Sequence, residues 1–318
     1  MIEVRRLGPQ IGAEIQGIDV KALDDASFAV IYRAWLDRNV LVVRGQDLQI
    51  EDFLRYSRRF GLVQPHPSKT TRHPDYPEIT LLGVNKFGPD GALDMAIYRR
   101  GAEGWHTDGA YDQEPFKATQ LYALAVPSTG GDTHFASMYA AYEALPQPLK
   151  RRLDGLRGAF TYGGRQKATA LLNEEDRNWT PVFHPIIRTH PETGRKGLYF
   201  DPGKILRIEG LDERESDLMI EELTGRMIQP EAEYRHTWRK GDIVIWDNRC
   251  SYHRAAGDYP PEEDRIHWRV SIKEHAAAGR VAANSHAHDR HSRSCRSGVA
   301  VACRRRRPGV VRLPPRAR

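Results

Sequence analysis

The sequence lacks the features that mark membrane, secreted and zinc-finger proteins. No run of about 18 or more apolar residues occurs, so no helix is expected to cross a bilayer. The N-terminal stretch MIEVRRLGPQIGAEI has no apolar h-region, which speaks against a secretory signal. Cysteine is scarce: Cys250, Cys295 and Cys303 are an odd number, and their spacing matches no zinc motif. A reduced cytoplasmic setting is therefore expected. No internal repeat appears, and no interdomain linker before residue 275. Acidic residues all but vanish at the C-terminus. Residues 276–318 hold eleven Arg, no Lys and one acid, Asp289, a net +10. The formal +6 of the whole chain therefore leaves residues 1–275 at −4. That terminal stretch has no hydrophobic period and is expected to be a disordered basic tail.

What is present fits a folded enzyme: 40% of residues are hydrophobic, enough to fill one large domain over residues 1–275. Residues 4–20 alternate with glycines and read as short strands around turns. Residues 26–38 carry Phe28, Ile31, Tyr32, Trp35 and Leu36 on one helical stripe. Residues 39–44 are an apolar β-branched run, a buried strand. A second amphipathic helix is expected over 52–60, stopped by Gly61, and a strand over 79–83. Segments 120–126 and 132–136 read as two strands joined by a Gly-rich turn. A further helix begins at 138, and another covers 213–224. Strands are expected over 185–190, 196–200, 242–246 and 268–272. Many short strands with a few helices favour a β-sandwich or barrel core with helices packed outside.

The chemistry concentrates in His106-Thr107-Asp108 and His253. A His and an Asp two residues apart on a strand project from one face, roughly 6.5–7 Å apart. A second His from a distant strand can complete a three-ligand cap. Two imidazoles and a carboxylate, with the opposite side open, suit non-haem Fe(II) oxygen chemistry. The dipeptide spacing alone is weakly specific; the surrounding residues strengthen it. Arg265 and Arg269 stand four residues apart and share a strand face, where two bare guanidinium groups need anions. Asp112 and Glu114 read as surface residues. His134, His184, His190, His236 and His267 read as structural or exposed.

The segments LGPQIGAEIQGIDV, NVLVVRGQDL, RRFG, WHTDGAY, PSTGGDT, AAYEALP, HPIIRTHPETG, WDNRCSYH and RIHWR, in this order, resemble the taurine / 2,4-dichlorophenoxyacetate dioxygenase family. These are Fe(II)/2-oxoglutarate-dependent oxygenases, and the likeness runs over about residues 3–274. It implies an α+β fold, a double-stranded β-helix (jelly roll) core with flanking helices. It implies His106, Asp108 and His253 as iron ligands, and Thr133 with Arg265 as the clamp for the distal carboxylate of 2-oxoglutarate. Arg suits that role because its planar fork binds a carboxylate in a bidentate way. His66 and Arg269 are implied as contacts to the anionic end of a small-molecule substrate: a sulfonate, sulfate ester, aryloxy or other carboxylic acid. The co-substrates implied are 2-oxoglutarate and O2, the products succinate, CO2 and a hydroxylated substrate. The chain departs from the taurine enzyme's pattern at Ala102, where that enzyme has Asn, and in an extra loop carrying Tyr98-Arg99-Arg100. Both fall where substrate choice is made, which argues against taurine itself.

Two other readings stand beside this one. A non-redox, cupin-like metal protein would keep the triad but has no need of a dicarboxylate clamp. Nucleic-acid binding through Arg304-Arg305-Arg306-Arg307 is less favoured, because no aromatics interleave for base stacking. Homo-oligomerisation is left open.

Overall fold

The structure, a computed structural model, describes residues 2–65, 72–83, 104–165 and 180–275. His66, the loop at 98–100, Ala102 and the tail expected over 276–318 lie outside the described residues. The chain opens with β1 (Glu3–Arg6), β2 (Ala13–Gln16), α1 (Asp25–Arg38), β3 (Val40–Val43), α2 (Ile50–Arg58), β4 (Leu62–Gln64) and β5 (Thr80–Leu82). It continues with β6 (Ala118–Ala125), β7 (Thr133–Ser137), α3 (Met138–Glu143), α4 (Gln147–Leu153) and β8 (Arg157–Phe160). Then come β9 (Val182–Pro185), β10 (Ile187–Thr189), β11 (Lys196–Leu198), β12 (Ile205–Ile208) and α5 (Glu213–Arg226). The last strands are β13 (Glu233–His236), β14 (Ile243–Asp247), β15 (Ser251–Ala255) and β16 (Ile266–Lys273).

Eight strands form one sheet in the order β1-β2-β3-β14-β6-β16-β4, with β5 also on β16. Only β2 and β3 run parallel in it. Three strands form a second sheet, β13-β7-β15, and three a third, β12-β8-β9, while β10 and β11 pair alone. The apolar run of β3 is buried along its length because each face of the large sheet meets a core. Leu41 and Val43 pack with Trp35 of α1 and Phe53 of α2. Val40 and Val42 face the other way and pack with Phe135 of β7 and Trp246. Period-2 alternation thus puts α1 and α2 on one side of the large sheet and the second sheet on the other.

The helix ends follow local chemistry. Asp24 accepts the Ser27 N–H at 2.7 Å to cap α1. Asn39, at φ 63°, ends it, its N–H donating to the Trp35 carbonyl at 2.7 Å. The start of α2 lies at Ile50, not Asp52, because Gln49 and Asp52 form a reciprocal capping box. The two strands expected around turn 127–131 are β6 and β7, but they do not pair. β6 lies between β14 and β16, and β7 between β13 and β15. The turn carries the chain from one sheet to the other, through Gly130 at φ 71° and Gly131 at φ 69°. A Cβ on Gly130 would sit 2.4 Å from the Asp258 carbonyl oxygen, so the crossing admits no side chain there.

Candidate active site

His106 lies on an isolated bridge with His253, each residue donating its N–H to the other's carbonyl, at 3.0 and 2.9 Å. The chain does not continue as the strand expected for this motif. It turns at Asp108, where Gly109 takes φ 77°. His253 stands on β15, as a distant strand should supply it, and its ring centroid is 4.1 Å from that of His106. The ligand atoms of His106, Asp108 and His253 all lie within 4.8 Å of one another.

This donor set fits a metal ion. His106 Nδ1 is 2.8 Å from the Gly104 carbonyl, which fixes the proton on Nδ1 and leaves Nε2 its lone pair. His253 Nε2 is 3.6 Å from Asp108 Oδ2. Asp108 Oδ2 accepts the Thr119 hydroxyl at 2.7 Å, and Arg269 lies 2.9 Å from Oδ1. Burial works to raise the Asp108 pKa, but Arg269, then His253 and His106, more than offset it and hold the carboxyl well below its ordinary range. Burial, then His106, drives the His253 pKa well down against the pull of Asp108. A carboxylate and a neutral imidazole are the forms that bind a divalent cation.

Asn248 organises these ligands from behind and was not singled out in the sequence. Its side-chain oxygen accepts the Asp108 N–H at 3.4 Å and the Trp246 indole N–H at 2.9 Å. Its amide nitrogen donates to the Thr119 hydroxyl oxygen at 2.9 Å, and its carbonyl accepts the Thr107 hydroxyl at 2.8 Å. It sits inside WDNRCSYH, but a lone Asn in a loop carries no periodic signal.

Thr133 and Arg265 come together as expected. Arg265 Nη2 donates to Thr133 Oγ1 at 3.2 Å, and its Nε to the Gly131 carbonyl at 2.7 Å. Trp238 Nε1 also donates to Thr133 Oγ1, at 3.0 Å. In the register of β7 with β15, His253 faces Phe135 and Ala255 faces Thr133. Thr133 and His253 therefore share one sheet face, two positions apart. Arg269 lies on β16, and its head reaches Asp108.

The five histidines expected to be structural or exposed are all buried. One of them, His190, clusters with Asp247 and Cys250. That cluster is already satisfied without a metal. His190 Nδ1 accepts the N–H groups of Glu192 and Thr193 at 3.2 and 3.1 Å, so its Nε2–H donates to Asp247 Oδ2 at 3.0 Å. Arg249 holds both Asp247 oxygens, at 2.8 and 2.6 Å.

Residues 3–271 match the family described as taurine catabolism dioxygenase TauD, TfdA family. The chain is 32% identical to the (S)-phenoxypropionate/alpha-ketoglutarate-dioxygenase of Sphingobium herbicidovorans, over 85% of this chain and 94% of that one. It is 33% identical to the alpha-ketoglutarate-dependent 2,4-dichlorophenoxyacetate dioxygenase of Cupriavidus pinatubonensis, over 78% of this chain and 90% of that one. A taurine dioxygenase structure from Burkholderia xenovorans superposes with a TM-score of 0.71 at 31% identity, covering 86% of this chain and 89% of that one. The match along nearly the whole described chain makes this protein a member of the TauD/TfdA family of 2-oxoglutarate-dependent dioxygenases.

Proposed function

We propose that the chain hydroxylates a small anionic organic substrate at Fe(II) held by His106, Asp108 and His253. The observation that carries this reading is the convergence of those ligand atoms within 4.8 Å, with His253 on the same sheet face as Thr133. Bound Fe(II), with 2-oxoglutarate and O2, supplies the oxidation: one oxygen atom ends in succinate and the other in the substrate hydroxyl, with release of CO2. Arg265 and Thr133 hold the distal carboxylate of 2-oxoglutarate, a charge-assisted pairing on a buried arginine. Trp238 and the Gly131 carbonyl fix that clamp. Arg269 binds the anionic end of the substrate, and its place against Asp108 brings that anion beside the metal ligands. His66 joins Arg269 in this role.

We read the core as a double-stranded β-helix, supported by the antiparallel β13-β7-β15 sheet packed on the large sheet through Phe135 and Trp246. The oxygenase domain spans residues 1–275, and residues 276–318 form a basic tail. A buried free thiol at Cys250 suits a reducing cytoplasm.

The test is succinate release from 2-oxoglutarate over a panel of sulfonates, sulfate esters, aryloxy acids and simple carboxylates, with and without Fe(II). At least one acid should stimulate iron-dependent release. A protein that binds iron but releases no succinate with any acid overturns the assignment.

A further inference from the structure

We propose that Lys204 is a second cationic anchor in the substrate pocket, so that the preferred substrate carries two anionic groups, one for Arg269 and one for Lys204. This rests on the oxygenase reading above.

The turn between β11 and β12 is bonded directly to the metal motif. Asp201, fully buried, accepts the N–H of Thr107, the residue between two ligands, at 3.3 Å, and the N–H of Gly203 at 2.9 Å. Loop 161–164 closes over the same turn. The Thr161 N–H donates to the Lys204 carbonyl at 3.0 Å, and the Lys204 ammonium donates to the Tyr162 carbonyl at 2.6 Å. Gly164, at φ 58°, permits this approach: a Cβ there would lie 1.9 Å from the Gly203 carbonyl oxygen. Lys204 is therefore held in place by its backbone and at its head.

The ammonium faces aromatic walls. It is 4.8 Å from the Tyr162 ring centroid and 5.7 Å from that of Tyr111, and the two rings meet edge-on at 4.8 Å. Tyr111 follows Asp108 by three residues. Burial lowers the Lys204 pKa, and Asp201, then Asp108, oppose it. Lys204 and Tyr111 thus both stand beside the metal motif, Tyr111 three residues past Asp108 and Lys204 on the turn bonded to Thr107. Among the described residues the Tyr162 carbonyl is the hydrogen-bond partner of the ammonium, and no carboxylate stands at ion-pair distance. An ammonium has three donors, and a partly buried one is costly unless an anion meets it. The distal carboxylate of 2-oxoglutarate is taken by Arg265, and Arg269 takes one end of the substrate. The group left to meet Lys204 is the substrate's other end, with its body against the tyrosine rings.

The experiment is calorimetric titration of the Fe(II)·2-oxoglutarate complex, kept free of oxygen, with matched acids. Phenoxyacetate is compared with its para-carboxy derivative, and propanesulfonate with sulfopropanoate. In the wild type the second carboxylate should strengthen binding at least about 10-fold in one pair. Lys204→Met should abolish that gain, and Lys204→Arg should keep part of it. Equal affinity within both pairs in the wild type overturns the proposal, as does failure to bind any of the four. Equal weakening of both members by Lys204→Met puts Lys204 and Arg269 on one anion and overturns the two-ended substrate. Absence of metal-dependent 2-oxoglutarate binding in the wild type would overturn the oxygenase reading itself.

Discussion

Asp108 is the residue on which most of the site's bonds converge. It meets two imidazoles, a guanidinium and a hydroxyl, and its backbone N–H is held by Asn248. Removing the hydroxyl without changing shape isolates one of these contacts. Thr119→Val should lower iron affinity about 10- to 100-fold, the usual effect of losing a bond that orients a ligand; iron retained after dialysis against a graded chelator measures it. Arg265→Ala should act elsewhere. Losing the charged partner of a buried carboxylate costs about 3–5 kcal/mol, so the 2-oxoglutarate concentration for half-saturation should rise by at least about 100-fold. Iron content should stay normal. Unchanged 2-oxoglutarate saturation would remove Arg265 from the clamp. His267 sets a pH limit. Burial, then Arg265 and His236, hold its pKa well below the ordinary value, and neither ring nitrogen has a hydrogen-bond partner among the described residues. Such a histidine is neutral when folded and takes up a proton on unfolding. The unfolded chain then binds more protons, so the stability it contributes is present above about pH 6.5 and is lost as pH falls below that toward the depressed folded value. His267→Leu should flatten the fall of Tm between about pH 7 and 5. An unaltered acid slope would mean that this ring is hydrated in solution.

At the scale of elements, the β6–β7 crossing is the decisive connection. It moves the chain between sheets and places Thr133 and the Gly131 carbonyl on Arg265. Gly130→Ala should cost at least about 1–2 kcal/mol from the left-handed backbone alone, with the contact on Asp258 added. The expected readout is a lower Tm together with weaker 2-oxoglutarate binding, since the turn and the clamp share atoms. A variant with a lower Tm and normal 2-oxoglutarate affinity would separate the two. Helices α1 and α2 take no direct part in the site. They cover the outer face of the large sheet, while Arg269 and Thr119 use the inner one.

For the whole molecule, charge is the property most unevenly distributed. Deleting residues 276–318 shifts the formal charge from +6 to −4. Retention on heparin should fall, and salt should erase the difference. The family match ends at residue 271 and the last strand at Lys273, so Tm and turnover should be nearly unchanged. A large drop in Tm on truncation would show that the tail packs on the body.

Much of this was legible in the linear chain. Local signals suffice for the stripe of α1 and for the apolar run of β3. The ordered motifs pointed to His106, Asp108 and His253 and to the Thr133–Arg265 pair, each of which the structure brings together, because chemistry that needs a charged fork or an imidazole restricts residue type. Strands β8, β12 and β13 escaped notice. They are short and polar in part, so their apolar pattern is too brief to stand out. What no linear reading reaches is contact between distant segments. That His106-Thr107-Asp108 bends at Gly109, that Asn248 holds Asp108 through Thr119, and that Lys204 stands beside Tyr111 depend on turns and sheets bringing separate stretches together. The residue types of the metal motif, the stripe of α1 and the charge imbalance can be read from the chain alone, since each resides in neighbouring residues. Which hydroxyls, amides and cations surround His106, Asp108 and His253 came from the fold alone, because that depends on how strands far apart in the chain register against one another.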